Sequence, residues 1–304
     1  MSVPVLVLIA SHGRPSLLGR TLRSVAACAR PERYAGCVVV ENGPAAGAAA
    51  VVAEVSAERP GAGVRYEHVA RANKSAALNA ALSGVDGGTL VVYLDDDVRV
   101  SPGLLAAYAA AAEGRRGQAF FGGPLGVDYE RTPEPEIRSI LPNSARGVGE
   151  VEIREMRYFL GANWAAYAGD VSGAGGFDPN YGPGSPTGAR GQESDMQRRL
   201  TAAGLTMAYV AEAEVWHWVP AERSTLEWAL DRMYRSGLGN GARARAGLQK
   251  VAVRRAIHVL AAQTVRYVEA QVRGRSRQRI LALSEFAFWR GYTRGVLTRA
   301  PGDA

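Results

Sequence analysis

Three consecutive aspartates, Asp95, Asp96 and Asp97, follow directly after the apolar run 89–94. Adjacent carboxylates repel one another and resist leaving water, so a folded chain keeps such a triplet only beside water, hydrogen-bond donors or a cation. Asp95 and Asp97 flank one residue in an expected turn, so both side chains can point at one divalent ion. The pattern therefore predicts a divalent metal site, and the alternative is a solvated acidic turn.

The first hundred residues position this triplet through alternating strand and helix patterns. Apolar runs predict strands, and apolar residues at helical spacing predict the helices between them. The strands are expected at 3–10, 37–41, 64–69 and 89–94, and the helices at 15–29, 45–57 and 74–83. This alternation predicts an α/β fold with a mostly parallel sheet and helices on both faces, whose ligands bind beyond the carboxyl ends of the strands. Segments 11–14, 41–43 and 95–97 should meet at that edge.

The remainder of the chain is less regular and then helical. We expect a helix over 102–112, an irregular Gly- and Pro-rich stretch over 120–190, a short helix over 195–204, a strand over 213–219, and further helices from 226, over 247–273 and over 277–295. Gly237, Gly239 and Gly241 should interrupt the helix that starts at 226. We therefore divide the chain into a domain at 1–220 and a helical extension at 221–304.

Charge is distributed unevenly between these two parts. Residues 1–220 carry 20 Lys and Arg against 23 Asp and Glu, whereas residues 221–304 carry 16 against 6. A basic helical extension suits an anionic lipid surface, a nucleic acid or a phosphorylated substrate, and the alternative is a solvated helical surface. Only Cys28 and Cys37 are present. Two cysteines are too few for a disulfide framework or a zinc cluster and fit a reducing compartment.

The sequence lacks the common motifs of membrane-spanning segments, signal peptides and Gly-rich nucleotide-binding loops. No apolar run reaches the ~18 residues that suggest a membrane-spanning helix, and residues 1–15 predict a strand rather than a signal peptide. No Gly-rich dinucleotide motif follows the first strand, and no Walker motif is present. We therefore expect a cytoplasmic protein whose sheet presents carboxylates, rather than a glycine cradle, to its ligand.

Seven segments in order resemble a family-2 glycosyltransferase of the GT-A fold. They are ASHGRP (10–15), VENG (40–43), NKSAALNAA (73–81), LDDDV (94–98), GANW (161–164), GGFD (175–178) and GQESD (191–195). The resemblance covers roughly residues 3–219, and it is the joint order of the segments that makes it specific. It implies a Rossmann-like GT-A domain that moves a sugar from a nucleotide-diphosphate sugar to an acceptor hydroxyl with inversion of configuration.

The same resemblance implies roles for individual residues. Nucleotide-sugar contacts are implied for Ala10, Ser11, His12, Arg14, Glu41, Asn73, Lys74, Asp95 and Asp96. A divalent metal, Mn²⁺ or Mg²⁺, is implied at Asp95, Asp97 and His217. Acceptor or sugar contacts are implied for Gly161, Asn163, Trp164, Phe177 and Asp178. The loop 181–190 is expected to close over the donor.

Two carboxylates compete for the role of general base. The family's usual Glu-Asp pair reads Gln192-Glu193 here, and Asp195 follows two residues later. The resemblance favours Glu193 as the base, Asp195 is the competing candidate, and both acids also suit a helix N-terminus without any catalytic role. His12 is a further departure, because the family usually has an aromatic Tyr or Phe at that position.

Two other functions suit the same pattern. A nucleotidyltransferase also places acids beyond a parallel sheet, and a non-catalytic domain can bind a nucleotide sugar or glycan in the same cleft. We expect a small-molecule, glycan or lipid-linked acceptor and no nucleic acid partner, because the extension has no recognisable reading motif. The basic helices of 221–304 are expected to form a lid or an acceptor platform, with peripheral contact to an anionic membrane.

Overall fold

The computed structural model describes residues 2–186, 191–245 and 250–297, which fall into two compact units. The first unit comprises residues 1–128 and 147–218, and the second comprises residues 129–146 and 219–304. The second unit therefore includes 129–146, a segment that the sequence prediction assigned to the first domain.

The described strands and helices follow the predicted alternation. The strands are β1 (Val5–Ser11), β2 (Tyr34–Asn42), β3 (Val64–Val69), β4 (Leu90–Asp95), β5 (Val98–Val100), β6 (Ala119–Gly122), β7 (Leu125–Tyr129), β8 (Asn163–Tyr167), β9 (Thr206–Tyr209) and β10 (Val215–Val219). The helices are α1 (Pro15–Ala26), α2 (Ala48–Glu58), α3 (Lys74–Leu82), α4 (Leu104–Ala112), α5 (Pro135–Arg138), α6 (Asn143–Arg146), α7 (Glu150–Met156), α8 (Ala168–Gly173), α9 (Gln192–Ala202), α10 (Leu226–Arg245), α11 (Lys250–Val272) and α12 (Ser276–Leu297). Short 3₁₀ turns lie at Pro60–Ala62 and Ala221–Ser224.

A mixed seven-stranded sheet in the order β3-β2-β1-β4-β8-β6-β9 forms the core of the first unit. β3, β2, β1 and β4 run parallel, and β8 runs antiparallel to both β4 and β6. Every residue of β1 is buried, as expected for a parallel strand that is covered on both faces. The predicted mostly parallel α/β fold is therefore confirmed. A second sheet has the order β5-β10-β7.

The strand register brings the predicted segments to one edge of the large sheet. Ser11 is paired with Glu41, and Ala10 with Asp95, so β1, β2 and β4 end side by side. In the small sheet His217 is paired with Val98, the residue after the aspartate triplet. Backbone pairing alone therefore places the 11–14 segment, the triplet and His217 together.

The stretch 120–190 contains more regular structure than the sequence predicted. It includes β7, β8 and the four short helices α5 to α8. Its strands have only five residues each and its helices four to seven. Elements this short complete few periods of an apolar pattern, so periodicity cannot reveal them.

Helix α10 in the second unit runs unbroken through its glycines, contrary to the predicted interruption. A Cβ atom on Gly237 would collide with the backbone carbonyl of Phe288 in α12, and a Cβ on Gly241 would collide with that of Tyr292. The glycines therefore let two helix backbones approach closely. Packing of this kind outweighs the ~1 kcal/mol by which glycine disfavours a helix relative to alanine.

Two predicted segments fall partly outside the described residues, namely 187–190 of the loop 181–190 and the start of the helix over 247–273. None of the helices described here combines the length and apolar character that crossing a membrane requires.

Candidate active site

Lys74 connects two carboxylates at the sheet edge. Its Nζ atom lies 2.6 Å from Asp95 Oδ1 and 2.8 Å from Glu193 Oε1. Lys74 begins α3, Asp95 ends β4 and Glu193 lies in the first turn of α9, so three elements converge on the ammonium group. Burial acts to lower the pKa of Lys74, but attraction by both carboxylates outweighs it and raises the pKa. Lys74 is therefore a charged link between Asp95 and Glu193.

Asn73 fixes the helix that carries Lys74. Its Oδ1 accepts a hydrogen bond from the backbone N–H of Ala76 at 2.9 Å, which caps α3. Its Nδ2 donates to the carbonyl of Pro179 at 2.9 Å, and the residue has no exposed surface. The side-chain amide of Asn73 is therefore fully used within the fold, and its contact with the nucleotide sugar stays a prediction.

Arg14 binds two members of the aspartate triplet. Its guanidinium nitrogens lie 2.5 Å from Asp96 Oδ1 and 2.6 Å from Asp97 Oδ2. The other oxygen of Asp96 accepts a hydrogen bond from the Ser11 hydroxyl at 2.7 Å. Asp96 has no exposed surface, and burial raises its pKa to about 6. Asp96 and Ser11 are therefore internal anchors of the turn in this structure, and their contacts with the donor stay predictions.

Asp97 and His217 are the pair that suits a divalent cation. Asp97 Oδ1 is buried and accepts no hydrogen bond from the described residues, and His217 Nε2 lies 3.4 Å from it. Burial acts to raise the pKa of Asp97, but His217 and Arg14 outweigh it and lower the pKa to about 2. An ionised carboxylate and an imidazole are suitable ligands for Mn²⁺. The described residues contain no cluster of three or more such ligands, so an ion here needs substrate oxygens as well, as Mg²⁺ sites commonly do.

Glu41 has a structural position rather than a ligand-facing one. Its Oε1 accepts from the backbone N–H of Ala46 at 2.8 Å, and its Oε2 accepts from the Tyr66 hydroxyl at 2.7 Å. Burial acts to raise the pKa of Glu41, but these hydrogen bonds outweigh it and lower the pKa. Glu41 and Ala10 are only 1% and 6% exposed. Both side chains are therefore enclosed in this structure, and the donor contacts of the two residues stay predictions.

His12 is exposed and closes over the turn that follows β2. Its Nδ1 lies 2.5 Å from the carbonyl oxygen of Asn42, and Nε2 of His68 lies 2.8 Å from that of Gly43. His68 was not predicted as a site residue, because it lies within a strand and belongs to none of the seven segments. Of the four residues in this segment with predicted donor contacts, His12 and Arg14 are thus the accessible ones.

Asp195 and its two neighbouring arginines form a structural ion-pair group. Its Oδ1 accepts from Arg198, and its Oδ2 accepts from Arg199 Nε at 2.9 Å. Arg199 also donates to the carbonyl oxygens of Ala174 and Gly176. Arginines therefore bind both oxygens of Asp195, and one of them, Arg199, also ties α9 to the end of α8.

Glu193 is arranged differently. Its Oε1 accepts from Lys74 at 2.8 Å and from Gln192 Nε2 at 2.6 Å, while Oε2 accepts no hydrogen bond from the residues that the structure describes. A Cβ atom on Gly161 would lie 2.5 Å from Glu193 Cδ. Gly161 therefore leaves the space that the Glu193 carboxylate occupies, and one oxygen of that carboxylate is fixed while the other is available.

Three residues with predicted sugar contacts pack into the core of this structure. Trp164 has no exposed surface and stacks on Tyr93, with ring centroids 4.4 Å apart. Phe177 is 1% exposed and meets both rings edge-on. Asn163 is buried, accepts from the Tyr108 hydroxyl at 2.6 Å and donates to two backbone carbonyls. All three side chains stabilise the core here, and their contacts with a sugar stay predictions.

A loop over the site is anchored to α3 by side chains that the sequence analysis did not identify. Asn79 exchanges two hydrogen bonds with the backbone of Phe177, at 2.7 and 2.8 Å. Ser75 donates to the carbonyl of Tyr181 at 2.8 Å. Asp178 lies half-buried in this loop, where it accepts from the backbone N–H of Asn180. No local sequence pattern predicts such anchoring hydrogen bonds, because their partners lie about a hundred residues away along the chain.

Comparison with known proteins places this geometry in a family context. The model of "Glycosyltransferase like family 2" matches residues 3–172. The succinoglycan biosynthesis protein ExoM of Rhizobium meliloti strain 1021 is 32% identical to this chain over 239 residues. That match covers 77% of this chain and 72% of ExoM.

Solved structures share the fold at low sequence identity. A mannosyltransferase of Pyrobaculum calidifontis, PcManGT, in complex with GDP-Man and Mn²⁺, has a TM-score of 0.54 at 18% identity over 82% of this chain. GalNAc-T7 with UDP, GalNAc and Mn²⁺ has a TM-score of 0.56 at 14% identity over 81% of this chain. The matches span 66% and 51% of those two chains. These similarities establish a GT-A fold.

Proposed function

Because this chain belongs to glycosyltransferase-like family 2, we propose that it moves a sugar from a nucleoside diphosphate sugar to a saccharide hydroxyl, inverting the anomeric carbon. Family membership makes it an enzyme of glycosyl transfer, so the nucleotidyltransferase and the non-catalytic binding domain are not retained. The donor class is supported by the GDP-Man and UDP complexes of its structural neighbours. The saccharide acceptor is supported by the relative named for succinoglycan biosynthesis.

The arrangement around Glu193 is the observation that carries this proposal. A general base must hold one oxygen within hydrogen-bond reach of the proton that it removes. Lys74 and Gln192 both bind Oε1 of Glu193, which leaves Oε2 for an acceptor hydroxyl. Asp195 is less suited, because arginines bind both of its oxygens.

The proposed reaction is one displacement. The acceptor oxygen forms a bond to the anomeric carbon while the bond from that carbon to the diphosphate oxygen breaks. The acceptor proton passes to Glu193, and the electron pair of the broken bond leaves with the nucleoside diphosphate. Attack from the face opposite the leaving group inverts the configuration.

A second group of residues would supply positive charge to the leaving group. Asp97 and His217 would hold a divalent cation, with Asp95 as the further ligand that the resemblance implies. Bound there, Mn²⁺ or Mg²⁺ supplies positive charge to the departing diphosphate. Arg14 offers charge from the chain itself, because its guanidinium is 40% exposed and binds anions in a fork geometry. Lys74 orients Asp95 and Glu193.

A turnover assay tests the proposal. The full chain is incubated with a panel of UDP-, GDP- and dTDP-sugars and oligosaccharide acceptors, in Mn²⁺, in Mg²⁺ or in EDTA. We expect release of nucleoside diphosphate with at least one donor, its loss in EDTA, and a product whose anomeric configuration by proton NMR is opposite to the donor's. A product that retains the donor's configuration would overturn the single displacement, and full activity in EDTA would overturn the role of the metal.

A further inference from the structure

Helix α11 is apolar on two opposite sides. At 100° per residue, Ala256, Gln263 and Ala270 lie on one side, and all three are buried. Ala261, Val265, Val268 and Val272 form a stripe on the other side, within about 60° of one line along the helix. These valines are 66%, 54% and 81% exposed. The inward side is therefore packed within the second unit, while the outward stripe has no packing partner among the described residues.

Three arginines follow this stripe in the chain, in the turn after α11 and at the start of α12. Arg273, Arg275 and Arg277 are exposed, directly after Val272. Residues 255–284 contain six arginines and one acid, Glu269. Arg273 forms an exposed ion pair with that glutamate, and neither Arg275 nor Arg277 contacts a carboxylate in the described part of the chain. Residues 273–277 therefore carry three positive charges, of which one is paired with a carboxylate among the described residues.

We propose that the valine–arginine surface, comprising Ala261, Val265, Val268, Val272, Arg273, Arg275 and Arg277, docks on an anionic lipid bilayer. A bilayer interface offers both partners that this surface needs, an apolar layer for the valines and negative headgroups for the arginines. A nucleic acid backbone offers charge without an apolar layer. A second copy of the surface brings more positive charge to the arginines. The helix lies along the interface and does not cross it.

Vesicle flotation of the full chain tests this surface. Vesicles of phosphatidylcholine with about one third phosphatidylglycerol are compared with pure phosphatidylcholine at low and high salt. Each arginine near an anionic surface is expected to strengthen binding about fivefold. The chain should float with the anionic vesicles, and binding should weaken in high salt because screening shortens electrostatic reach.

Matched variants distinguish binding through this surface from nonspecific binding through any exposed valine or arginine. Val265→Ser/Val268→Ser and Arg275→Gln/Arg277→Gln should each weaken binding more than tenfold. Val151→Ser, at another valine that is 68% exposed, and Arg59→Gln/Arg131→Gln, at two other exposed arginines, should leave binding unchanged. Far-UV circular dichroism checks that all four variants remain helical.

Three results would overturn the proposal: no flotation of the wild-type chain, equal binding to neutral vesicles, or equal losses in the control variants. Sedimentation velocity could give a fourth contradicting result. If the wild-type chain is a dimer and the valine variant is a monomer, a second copy of the chain occupies the surface. Nucleoside diphosphate release with soluble acceptors should be unchanged in the surface variants. A failure of membrane docking is therefore distinguishable from a failure of the proposed transfer reaction.

Discussion

Charged side chains in the cleft at the sheet edge are paired with one another, whereas those beside the outer face of α11 are mostly unpaired within the described parts of the chain. In the cleft, Lys74 contacts Asp95 and Glu193, and Arg14 contacts the next two aspartates. In the turn after α11 and at the start of α12, Arg275 and Arg277 are exposed and contact no carboxylate among the described residues. The charged groups of the cleft are therefore held in place by one another, whereas those beside the outer face are open to a partner from outside.

This difference shows what each region is built to do. Charged groups held in fixed positions need little rearrangement during a reaction, which is the basis of electrostatic preorganisation. Charges on a solvated face cost little to leave unpaired, because water and salt screen them. Changes in the cleft should therefore have large effects on stability or turnover, and comparable changes on exposed surfaces should have small ones.

The largest stability effect is expected for Lys74→Met. Removing the ammonium leaves the Asp95 and Glu193 carboxylates facing each other in a site where the lysine side chain is only 16% exposed. Loss of one partner from a largely buried pair should lower the free energy of unfolding by about 3 kcal/mol. Arg154→Met, which breaks an exposed pair with Glu150, should cost less than about 0.5 kcal/mol. Urea denaturation of both variants measures the contrast, and equal losses would contradict it.

The next effect is expected for Gly161→Ala, and it should appear in turnover. The new methyl group would occupy the space of the Glu193 carboxylate and displace the base. A displacement of about 1 Å should lower kcat about 100-fold, with little change in KM for the donor. Gly173→Ala is the control, because an added Cβ there meets no atom within 4 Å. Steady-state kinetics measure kcat and KM of both variants. A Gly161 variant with wild-type kcat would refute this placement of the base.

A smaller effect is expected for Asn79→Ala. The substitution removes the two hydrogen bonds that hold the backbone of Phe177 to α3. At about 1 kcal/mol for each bond, the free energy of unfolding should fall by about 1–2 kcal/mol. Gln118→Ala removes one long, exposed hydrogen bond and should have almost no effect. Thermal unfolding compares the two variants. An unchanged melting temperature for Asn79→Ala would show that the two hydrogen bonds of Asn79 do not stabilise the loop.

The sequence predicted which segments meet, because apolar periodicity places strands and the parallel topology places their carboxyl ends. It also indicated Lys74, Asp95, Asp97, His217 and Glu193, which the structure brings to one edge. It did not separate charged and polar residues that face the cleft from those that stabilise the turn beneath it. Asp96 and Asp97 are neighbours in the chain, yet the first is enclosed by Ser11 and Arg14 and the second lies beside His217.

The remaining differences between prediction and structure have the same physical origin, namely contacts between residues far apart in sequence. Trp164 resembles a sugar-stacking residue in its motif, but the ring of Tyr93 covers it. Gly237 and Gly241 have low helix propensity, but close packing against α12 retains the helix. Tertiary contacts determine both outcomes, and no local pattern encodes them.

The account depends most on Glu193 as the group that removes the acceptor proton, and the Glu193→Gln and Asp195→Asn variants test this directly. Both substitutions replace a carboxylate by an amide of the same size in the same helical turn. With a donor and acceptor identified by the turnover assay, Glu193→Gln should lower kcat by about 10²–10⁴-fold while donor binding stays unchanged. Asp195→Asn should keep kcat within about tenfold and lower the melting temperature. A Glu193→Gln enzyme with near-wild-type kcat, or an Asp195→Asn enzyme that loses as much, would contradict the account.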